Sequence, residues 1–531
     1  MKIPRTRKRI SLGSVAILLV GSSLLAQILG FMRTKLVNAN FLPVGPHSTD
    51  SYFAAFTIPD FFFFTISAGA LGVAFMPVLA DHLARGDRKG MWRLVSSLLN
   101  LLTLIMLLVA IIIFVFAEPI MRQLVAPAQL HDAVIIMRFL CLNPLLFTIS
   151  GILTATQQAL GRFFFYATAP LLYNGSIIVA TLVFSTANHG GPGHLGIAGL
   201  GVGALVGAVL QLLVVLIGTY GTGFRWTPHI IWRNRDFRQV LRNLPPRSID
   251  QGIDQLESIV ETRFARGLGQ GSISYYNNAY TLQLAPVLLI GTAISTAVFP
   301  RLNNRLSHGR PDLFRQDFLR FLRLIIWITL PVVVISFFGR GYLARLIFSR
   351  NSGDISNIFG FLTVAILFRT IYALISRWFY AQKDTRTPLY VSIFTISLNV
   401  VLAYLLTRPG SYGLPGLALA QSIVAAVEVC VLSVIMLIRD PKLFDREFWS
   451  GIFRTVSVTG FSLVAGYITV GFVPLGIEDR GFITLGTKFL VIAGVTMVTH
   501  FVISGLFDLE EARPFWRWVR RIALRPLKVE Y

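Results

Sequence analysis

The stretch LVSSLLNLLTLIMLLVAIIIFVF (residues 94–116) carries no charged side chain and is long enough to cross a lipid bilayer as one helix. Comparable apolar runs recur along the whole chain of 531 residues. Apolar residues make up 54 % of the sequence and charged residues 14 %, against about 25 % charged residues in soluble domains. The mean hydropathy is +0.67. This composition excludes a soluble enzyme, a disordered chain and a disulfide scaffold, and it predicts an all-α polytopic membrane protein.

About fourteen apolar segments predict transmembrane helices, of which the second, seventh and eighth are the most polar. The segment after the basic N-terminal sequence MKIPRTRKRI is long and has no small-residue cleavage site, so we interpret it as a retained first span. The predicted spans are 11–37, 51–80, 93–117, 133–158, 164–187, 195–221, 245–267, 273–299, 319–339, 356–381, 387–407, 413–437, 450–474 and 482–507.

The basic residues are distributed unevenly between the two sides of the membrane. The net charge is +23, from 48 basic and 25 acidic residues. With a cytoplasmic N-terminus, the cytoplasmic segments hold 35 basic residues and the opposite loops hold 9. The positive-inside rule therefore predicts that both termini are cytoplasmic. We interpret the basic loops 223–247 and 301–323 as topology signals and contacts for anionic membrane lipids, and we expect no nucleic-acid binding.

Two similar segments lie six predicted spans apart. They are GILTATQQALGRFFFYATAPLLYN (151–174) and ALISRWFYAQKDTRTPLYVSIF (373–394), and an even offset gives both the same orientation. The similarity predicts a parallel repeat of six spans, with two further spans at the C-terminal end. The predicted organisation is an N-terminal six-helix lobe (1–222), a basic cytoplasmic linker (223–244), a C-terminal six-helix lobe (245–438), two extra helices (449–507) and a basic cytoplasmic tail (508–531).

Ionisable residues inside predicted spans are the main functional candidates, because a charge at membrane depth is costly. The spacing of four acids in span 7 puts them on one helix face, which predicts either a water-filled cavity or neutralisation by cations. The alternative is an interfacial position for the first two, paired with nearby arginines. These acids are Asp250, Asp254, Glu257 and Glu261.

Other spans also carry polar or helix-breaking residues. Span 2 contains Asp60 and Pro59, and the proline predicts a broken helix. Arg369 in span 10 and Glu428 in span 12 are isolated charges in sequence. The chain has no phosphate-binding glycine loop and no HExxH or GxSxG motif, so we expect no enzymatic activity.

Several stretches resemble the MurJ/MviN family, the lipid II flippases of bacterial cell-wall synthesis. The most specific is RWFYAQKDTRTPLYVS (377–392), and the resemblance extends over all fourteen predicted spans. The other stretches are LGFMRTKLVNANF (29–41), TDSYFAAFTIPDFFF (49–63), AFMPVLADHL (74–83), GSISYYNNAYTLQLAP (271–286) and ISTAVFPRLN (294–303).

The resemblance implies two six-helix lobes in a V around a central cavity, with the last two helices forming a groove for the lipid tail. It implies alternating access that moves lipid II, or a related polyprenyl-diphosphate lipid, from the inner to the outer leaflet of the bacterial cytoplasmic membrane. The protein would be a monomer that associates with cell-wall synthesis machinery. No cofactor is implied beyond coupling to sodium or to the membrane potential.

The cavity residues of the family carry over only in part. Arg33 and Asp50 are kept, whereas family arginines align with Gln27, Phe63, Phe64 and Thr281. Arginines elsewhere would have to compensate, because guanidinium groups suit a diphosphate. The predicted substrate-binding residues are Arg33, Asp50, Gln27, Thr281, Arg263 and Arg369, with Arg266 as a further compensating candidate.

A sodium site is implied near the C-terminal lobe, with Glu261 and Asn399 as its ligands. Asp254, Glu257 and Gln421 are further ion-coupling candidates. We assign structural or gating roles to Pro59, Asp384 and Pro388.

The missing arginines leave two alternatives to lipid II transport. One is an exporter of another lipid-linked saccharide or amphiphile on the same fold. The other is a transport-incompetent scaffold in an envelope complex.

Overall fold

A computed structural model describes residues 12–68, 75–185, 195–348 and 352–517, and all regular elements in these ranges are helices. The first ten α-helices are α1 (Leu12–Asn40), α2 (Thr49–Phe62), α3 (Met76–Ala84), α4 (Arg88–Val115), α5 (Ala117–Leu124), α6 (Leu130–Leu140), α7 (Asn143–Ala159), α8 (Phe164–Val183), α9 (Gly199–Thr219) and α10 (Arg235–Arg266). The others are α11 (Ser272–Pro286), α12 (Ala293–Ser307), α13 (Pro311–Ile347), α14 (Ser352–Ala381), α15 (Arg386–Leu406), α16 (Leu414–Arg439), α17 (Arg446–Phe472) and α18 (Phe482–Leu506).

The all-α membrane fold predicted from composition is confirmed. Eleven helical segments within the described ranges are long and apolar enough to cross a membrane. They correspond to every predicted span except the first, second and seventh. The helix of span 1 begins in residues 12–20, whose side chains lie outside the description. The total of fourteen spans stays a prediction.

The chain divides into two compact units, Met1–Ser274 and Tyr275–Tyr531. Helix α10 packs in the first unit, against α2, and α11 crosses the boundary in sequence. The lobe and linker limits derived from the sequence stay predictions.

The first unit is held together by close helix packing around small residues. Helices α8 and α9 pack along their lengths, and α8 also packs against α1. A Cβ atom at Gly207 would lie 3.0 Å from the carbonyl oxygen of Tyr173, so a side chain there would push the two helices apart. The glycine-rich stretch of span 6 therefore serves helix packing.

The second predicted span changes its helix type after Phe62, whereas Pro59 lies inside α2, so the break predicted from Pro59 stays a prediction. Helix α2 ends at Phe62 and continues as a π-helix over Phe63–Ala68. The run of four phenylalanines at 61–64 lies across this transition, and residues 69–74 lie outside the description. The backbone hydrogen bonds of a π-helix join residues five apart rather than four. Short π-helices are frequent at functional sites.

The second unit is built around the long helix α13. This helix packs against α14, α17 and α18, and α14 packs against α16. A cluster of buried side chains, including Phe318, Trp378 and Phe379, forms the interior. The two extra C-terminal helices are attached to α13 by packing and by a hydrogen bond of 2.9 Å from Trp327 Nε1 to Ser504 Oγ.

Each of the two units contains a helix–turn–helix segment, and the two segments have turns of the same geometry. After α7, the amide of Gly161 donates to Gln158 and that of Arg162 to Gln157. After α14, the amide of Lys383 donates to Tyr380 and that of Asp384 to Phe379. Both turns follow the Schellman pattern, with a positive φ of 74° at Gly161 and 61° at Lys383.

These turns agree with the register in which the two segments were compared, and the parallel repeat stays a prediction. They align Gly161 with Lys383 and the start of α8 with the start of α15. In this register the Pro-Leu pairs of the two segments differ by four residues, about one helical turn.

Candidate functional site

Arg33 on α1 lies in a cluster of polar side chains from three helices of the first unit. It is close enough to Asp60 on α2 to act on it electrostatically. Tyr52 on α2 and Tyr173 on α8 are also within its electrostatic reach. Arg33, Asp60 and Tyr173 are half-buried. We call Arg33, Asp60, Tyr52 and Tyr173 the Arg33 cluster.

Aromatic side chains border the Arg33 cluster. The Phe63 ring contacts the Phe147 ring edge-on at 5.6 Å between centroids, and Phe147 contacts Tyr173 at 5.1 Å. Phe63 also packs against Phe64. Phe63 and Phe64 therefore extend an aromatic wall from Phe147 and Tyr173, and Tyr173 is within the electrostatic reach of Arg33.

Gln27 and Thr281 are not brought into this cluster. Gln27 is half-buried on α1, and six residues of helix turn it about 120° away from Arg33. Thr281 belongs to the second unit, where its hydroxyl donates to the carbonyl of Asn277 at 2.9 Å within α11. Their predicted contacts with substrate stay predictions.

Asp50 stabilises the start of another helix. Its carboxylate accepts hydrogen bonds from the amide of Gly271 at 2.7 Å, the amide of Ser274 at 2.8 Å and the hydroxyl of Ser274 at 2.7 Å. Asp50 is only 1 % exposed. A carboxylate at a helix start satisfies unpaired amides and complements the helix dipole. Asp50 therefore has a structural role at the start of α11, and the prediction of substrate contact had not anticipated it.

The motifs at both ends of this contact were visible in the sequence. The Thr-Asp pair of 49–50 and the GSIS stretch of 271–274 lie in two of the stretches that carried the family resemblance. Thr49 Oγ1 also lies 2.7 Å from Ser274 Oγ. The sequence alone did not show that the two stretches contact one another.

The acidic stripe of span 7 lies on α10, which packs against α2 and the π-helix. Glu257 and Glu261 are buried, at 8 % and 6 % exposure. A Cβ atom at Gly252 would lie 2.9 Å from Thr65 Oγ1, so the glycine permits close packing on the π-helix. The side chains of Asp250 and Asp254 lie outside the description, and the predictions made for them stay predictions.

The two arginines at the end of α10 differ in environment. Arg263 is exposed. Arg266 donates from Nη1 to the carbonyl of Gln123 at 3.2 Å, in the last turn of α5. A cation at a helix C-terminus complements the helix dipole, so Arg266 has a structural role.

Arg369 and Glu428 are not isolated charges, which corrects the sequence interpretation. Arg369 Nη1 on α14 lies 3.4 Å from Glu428 Oε2 on α16. Ser392 on α15 donates to Glu428 Oε1 at 3.0 Å. The Glu428 side chain is 4 % exposed and that of Arg369 is 20 % exposed. Arg369 and Ser392 therefore compensate the buried carboxylate of Glu428 within the second unit. The role of Arg369 in substrate binding stays a prediction.

The remaining ion-coupling candidates are also in the second unit. Asn399 and Gln421 are each 1 % exposed. Tyr276 donates its hydroxyl to Gln421 Oε1 at 3.2 Å. Glu261, the other proposed sodium ligand, belongs to the first unit. These residues offer carboxylate and amide oxygens, the donors that hard cations prefer.

Asp384 fastens the turn between α14 and α15. It accepts the amides of Arg386 and Thr387 at 3.0 and 3.1 Å and the Thr387 hydroxyl at 2.6 Å. Arg439 Nη1 lies 2.7 Å from its Oδ2. Burial raises the pKa of Asp384, but the hydrogen bonds from Thr387 and the charge of Arg439 together hold that pKa below its ordinary value. Pro388 is buried in the first turn of α15. These contacts are structural, and the gating role considered for Asp384 and Pro388 stays a prediction.

Two repeated helical units with charged clusters inside apolar helices define a polytopic transporter of the membrane. Two solved structures share this fold. A structure titled "Lipid II flippase MurJ, inward closed conformation" matches with a TM-score of 0.74 and 21 % identity over 92 % of this chain and 98 % of that one. An inward-facing multidrug transporter of the MATE family matches with a TM-score of 0.68 and 17 % identity, over 81 % and 98 % of the two chains. These likenesses concern the fold.

The family follows from the sequence comparison. A family model described as "Lipid II flippase MurJ" matches residues 39–476, and the chain belongs to this family. "Probable lipid II flippase MurJ" of Borreliella burgdorferi is 24 % identical over 96 % of this chain and 98 % of the relative. "Lipid II flippase MurJ" of Burkholderia cenocepacia is 24 % identical over 72 % and 76 % of the two chains.

Proposed function

We propose that this protein is a flippase that translocates lipid II, the undecaprenyl-diphosphate-linked peptidoglycan precursor, from the inner to the outer leaflet by alternating access. The observation that carries the proposal is the family match over residues 39–476. The relatives that match are named as lipid II flippases, which favours this cargo over another lipid-linked saccharide and over a scaffold without transport.

Arg33 is the residue we assign to the diphosphate of the cargo. A guanidinium stays charged and offers a planar fork to phosphate oxygens. Asp60 compensates the Arg33 charge when no anion is bound, which lowers the free-energy cost of a half-buried cation in an apolar helix bundle. A diphosphate that binds Arg33 then competes with Asp60. This competition lowers the affinity for the diphosphate, so the cargo can be released.

The aromatic wall of Phe63, Phe147 and Tyr173 suits a cargo with a saccharide part. Aromatic rings present flat apolar faces, and the Tyr173 hydroxyl adds a polar group beside Arg33. We infer that the phenylalanines of this chain replace charge-based contacts with stacking contacts. Cargo affinity then depends more on Arg33 than it would in a site with several arginines.

We also propose the membrane setting and the coupling. The protein is a monomer of the bacterial cytoplasmic membrane with both termini cytoplasmic, and its basic loops contact anionic lipids. It associates with cell-wall synthesis machinery. Glu261 and Asn399 hold a sodium ion, or the membrane potential acts on the buried charges. Glu257, Gln421 and Asp254 are further candidates for coupling.

The function is tested by measuring lipid II at the outer leaflet. Cells whose own flippase has been shut off receive either this protein or an empty vector, and labelled lipid II is probed by an externally added enzyme. We expect labelled lipid II to be cleaved only in the cells that express this protein. If lipid II stays inaccessible while the protein is folded in the membrane, lipid II is not its cargo.

A further inference from the structure

A cavity of about 760 Å³ lies in the second unit, between the start of α13, the start of α17 and the segment that follows α18. Its volume is in the range of about 300–1,000 Å³ that is usual for small-molecule sites. The cavity shares no residue with the Arg33 cluster, and we call it the α13–α17 cavity. Its charged lining residues are Arg301, Arg320, Arg323, Arg513, Arg517, Asp445, Glu447, Glu510 and Glu511.

Most of these charges are already used within the protein. Three arginines are ion-paired to acids, and Asp445 accepts the amide of Phe448 at 2.7 Å as the N-cap of α17. The paired groups are Arg323 with Glu511 at 2.6 Å and with Glu510 at 3.9 Å, Arg513 with Asp508 at 2.8 Å, and Arg301 with Asp317 through two hydrogen bonds of 2.5 and 2.8 Å.

Three charged side chains of the lining remain available. Within the described ranges, Arg320, Arg517 and Glu447 make no ion pair and no hydrogen bond, and all three are exposed. Two free guanidinium groups and one free carboxylate are complementary to a ligand that carries both a phosphate and a cationic group. A guanidinium fork binds phosphate oxygens, and a carboxylate pairs with a primary ammonium group.

The surroundings of the cavity indicate where such a ligand comes from. Trp449 and Phe453, on the first turns of α17, are 48 % and 68 % exposed, and Val456 one turn later is 53 % exposed. Aromatic side chains at the end of a membrane helix mark the level of the lipid head groups. A lipid whose head group enters the cavity can therefore lay its chains along the apolar face of α17.

We propose that the α13–α17 cavity binds the head group of a phosphoethanolamine phospholipid. Arg320 and Arg517 bind the phosphodiester, and Glu447 binds the ammonium group. The site is separate from the transport site, so it retains a structural lipid of the surrounding membrane rather than the cargo.

The test is native mass spectrometry of the purified full-length protein with added lipids. We expect phosphatidylethanolamine to bind more tightly than phosphatidylglycerol, which lacks the cation, and phosphatidylcholine, whose cation lacks N–H donors. Glu447→Gln removes this preference. Arg320→Gln and Arg517→Gln each weaken binding of phosphatidylethanolamine about tenfold, the loss of a charge-assisted hydrogen bond. Arg88→Gln, at an exposed helix start in the first unit, is the matched control and leaves binding unchanged.

Two results would overturn the proposal. The first is equal binding of the three lipids by the wild-type protein, or unchanged preference in a folded Glu447→Gln variant. The second is displacement of the lipid by soluble phosphoethanolamine at equal concentration, which would make the ligand a soluble phosphate compound. Thermal unfolding of each variant shows whether it is folded. None of these outcomes depends on lipid II transport.

Discussion

Asp384 and Arg439 form an ion pair of 2.7 Å that joins the turn after α14 to the last turn of α16. The repeated turn in the first unit makes the equivalent contact with different chemistry. There Arg162 donates to the carbonyls of Gly218 and Tyr220, at 3.0 and 2.8 Å, at the end of α9. In both units, the residue after the positive-φ position thus binds the end of a later helix. In the first unit it is the cationic side chain of Arg162, and in the second unit it is the anionic side chain of Asp384.

The Asp384–Arg439 pair predicts a dependence of stability on pH. The pKa of Asp384 is held below its ordinary value of 3.8, because hydrogen bonds from Thr387 and the Arg439 charge outweigh burial. A depressed pKa in the folded state contributes stability above the unfolded-state value, and this contribution is lost as the pH falls through the folded-state value. We therefore expect the wild-type protein to lose more thermal stability than Asp384→Asn when the pH is lowered below about 4. Equal slopes for the two proteins would contradict the role of this pair.

The buried pair of Arg369 and Glu428 predicts non-additive mutations. Breaking a buried ion pair on one side leaves an uncompensated charge and costs roughly 3–5 kcal/mol of unfolding free energy. We expect Arg369→Met and Glu428→Met each to lower the unfolding temperature strongly in detergent. The double variant removes both charges and should be more stable than either single variant. A double variant that shows the sum of the two losses would mean that the side chains act independently.

The contact between Asp50 and the start of α11 predicts local opening when the carboxylate is removed. Asp50→Ala leaves the amides of Gly271 and Ser274 without their acceptor, at a cost of about 1–2 kcal/mol for a lost helix cap. We expect faster hydrogen exchange at these amides and a lower unfolding temperature. Asp312→Ala, at the exposed start of α13, is the matched control and should not change exchange at 271–274. Unchanged exchange in Asp50→Ala would show that the carboxylate does not hold this helix start.

The positive φ at Gly161 and Lys383 predicts opposite effects of two substitutions. Gly161→Ala meets no atom within 4 Å, so its cost is that of the backbone conformation alone, about 1 kcal/mol. Lys383→Gly relieves the same strain and should raise the unfolding temperature. Gly175→Ala inside α8 also meets no atom and is expected to stabilise the helix. A destabilising effect of Lys383→Gly would mean that the lysine side chain contributes more than the turn costs.

The sequence predicted those features that depend on local patterns. Apolar length predicted the membrane helices, because this effect depends only on neighbouring residues in the chain. Contacts between distant helices were not predictable. Glu428 lies 59 residues from Arg369 and Asp50 lies 221 residues from Gly271, so their pairing depends on how the helices are rotated and packed.

The site was predictable to a similar extent. The resemblance singled out Arg33, and the structure adds Asp60, Tyr52 and Tyr173 around it. The resemblance implied that family arginines are replaced at Phe63 and Phe64, whereas the aromatic wall that these residues form was not visible in the sequence. Aromatic contacts between α7, α8 and the π-helix require the tertiary arrangement.

We propose that transport of lipid II by this protein depends on the guanidinium of Arg33. The most direct measurement compares outer-leaflet lipid II in flippase-depleted cells that express the wild-type protein, Arg33→Gln or Arg138→Gln. Arg138 is an exposed arginine on α6 whose guanidinium lies 5.4 Å from the Phe114 ring, so it controls for loss of an arginine from a membrane helix. We expect transport to fall to background in Arg33→Gln and to stay at the wild-type level in Arg138→Gln. Wild-type transport by a folded Arg33→Gln variant would contradict the account.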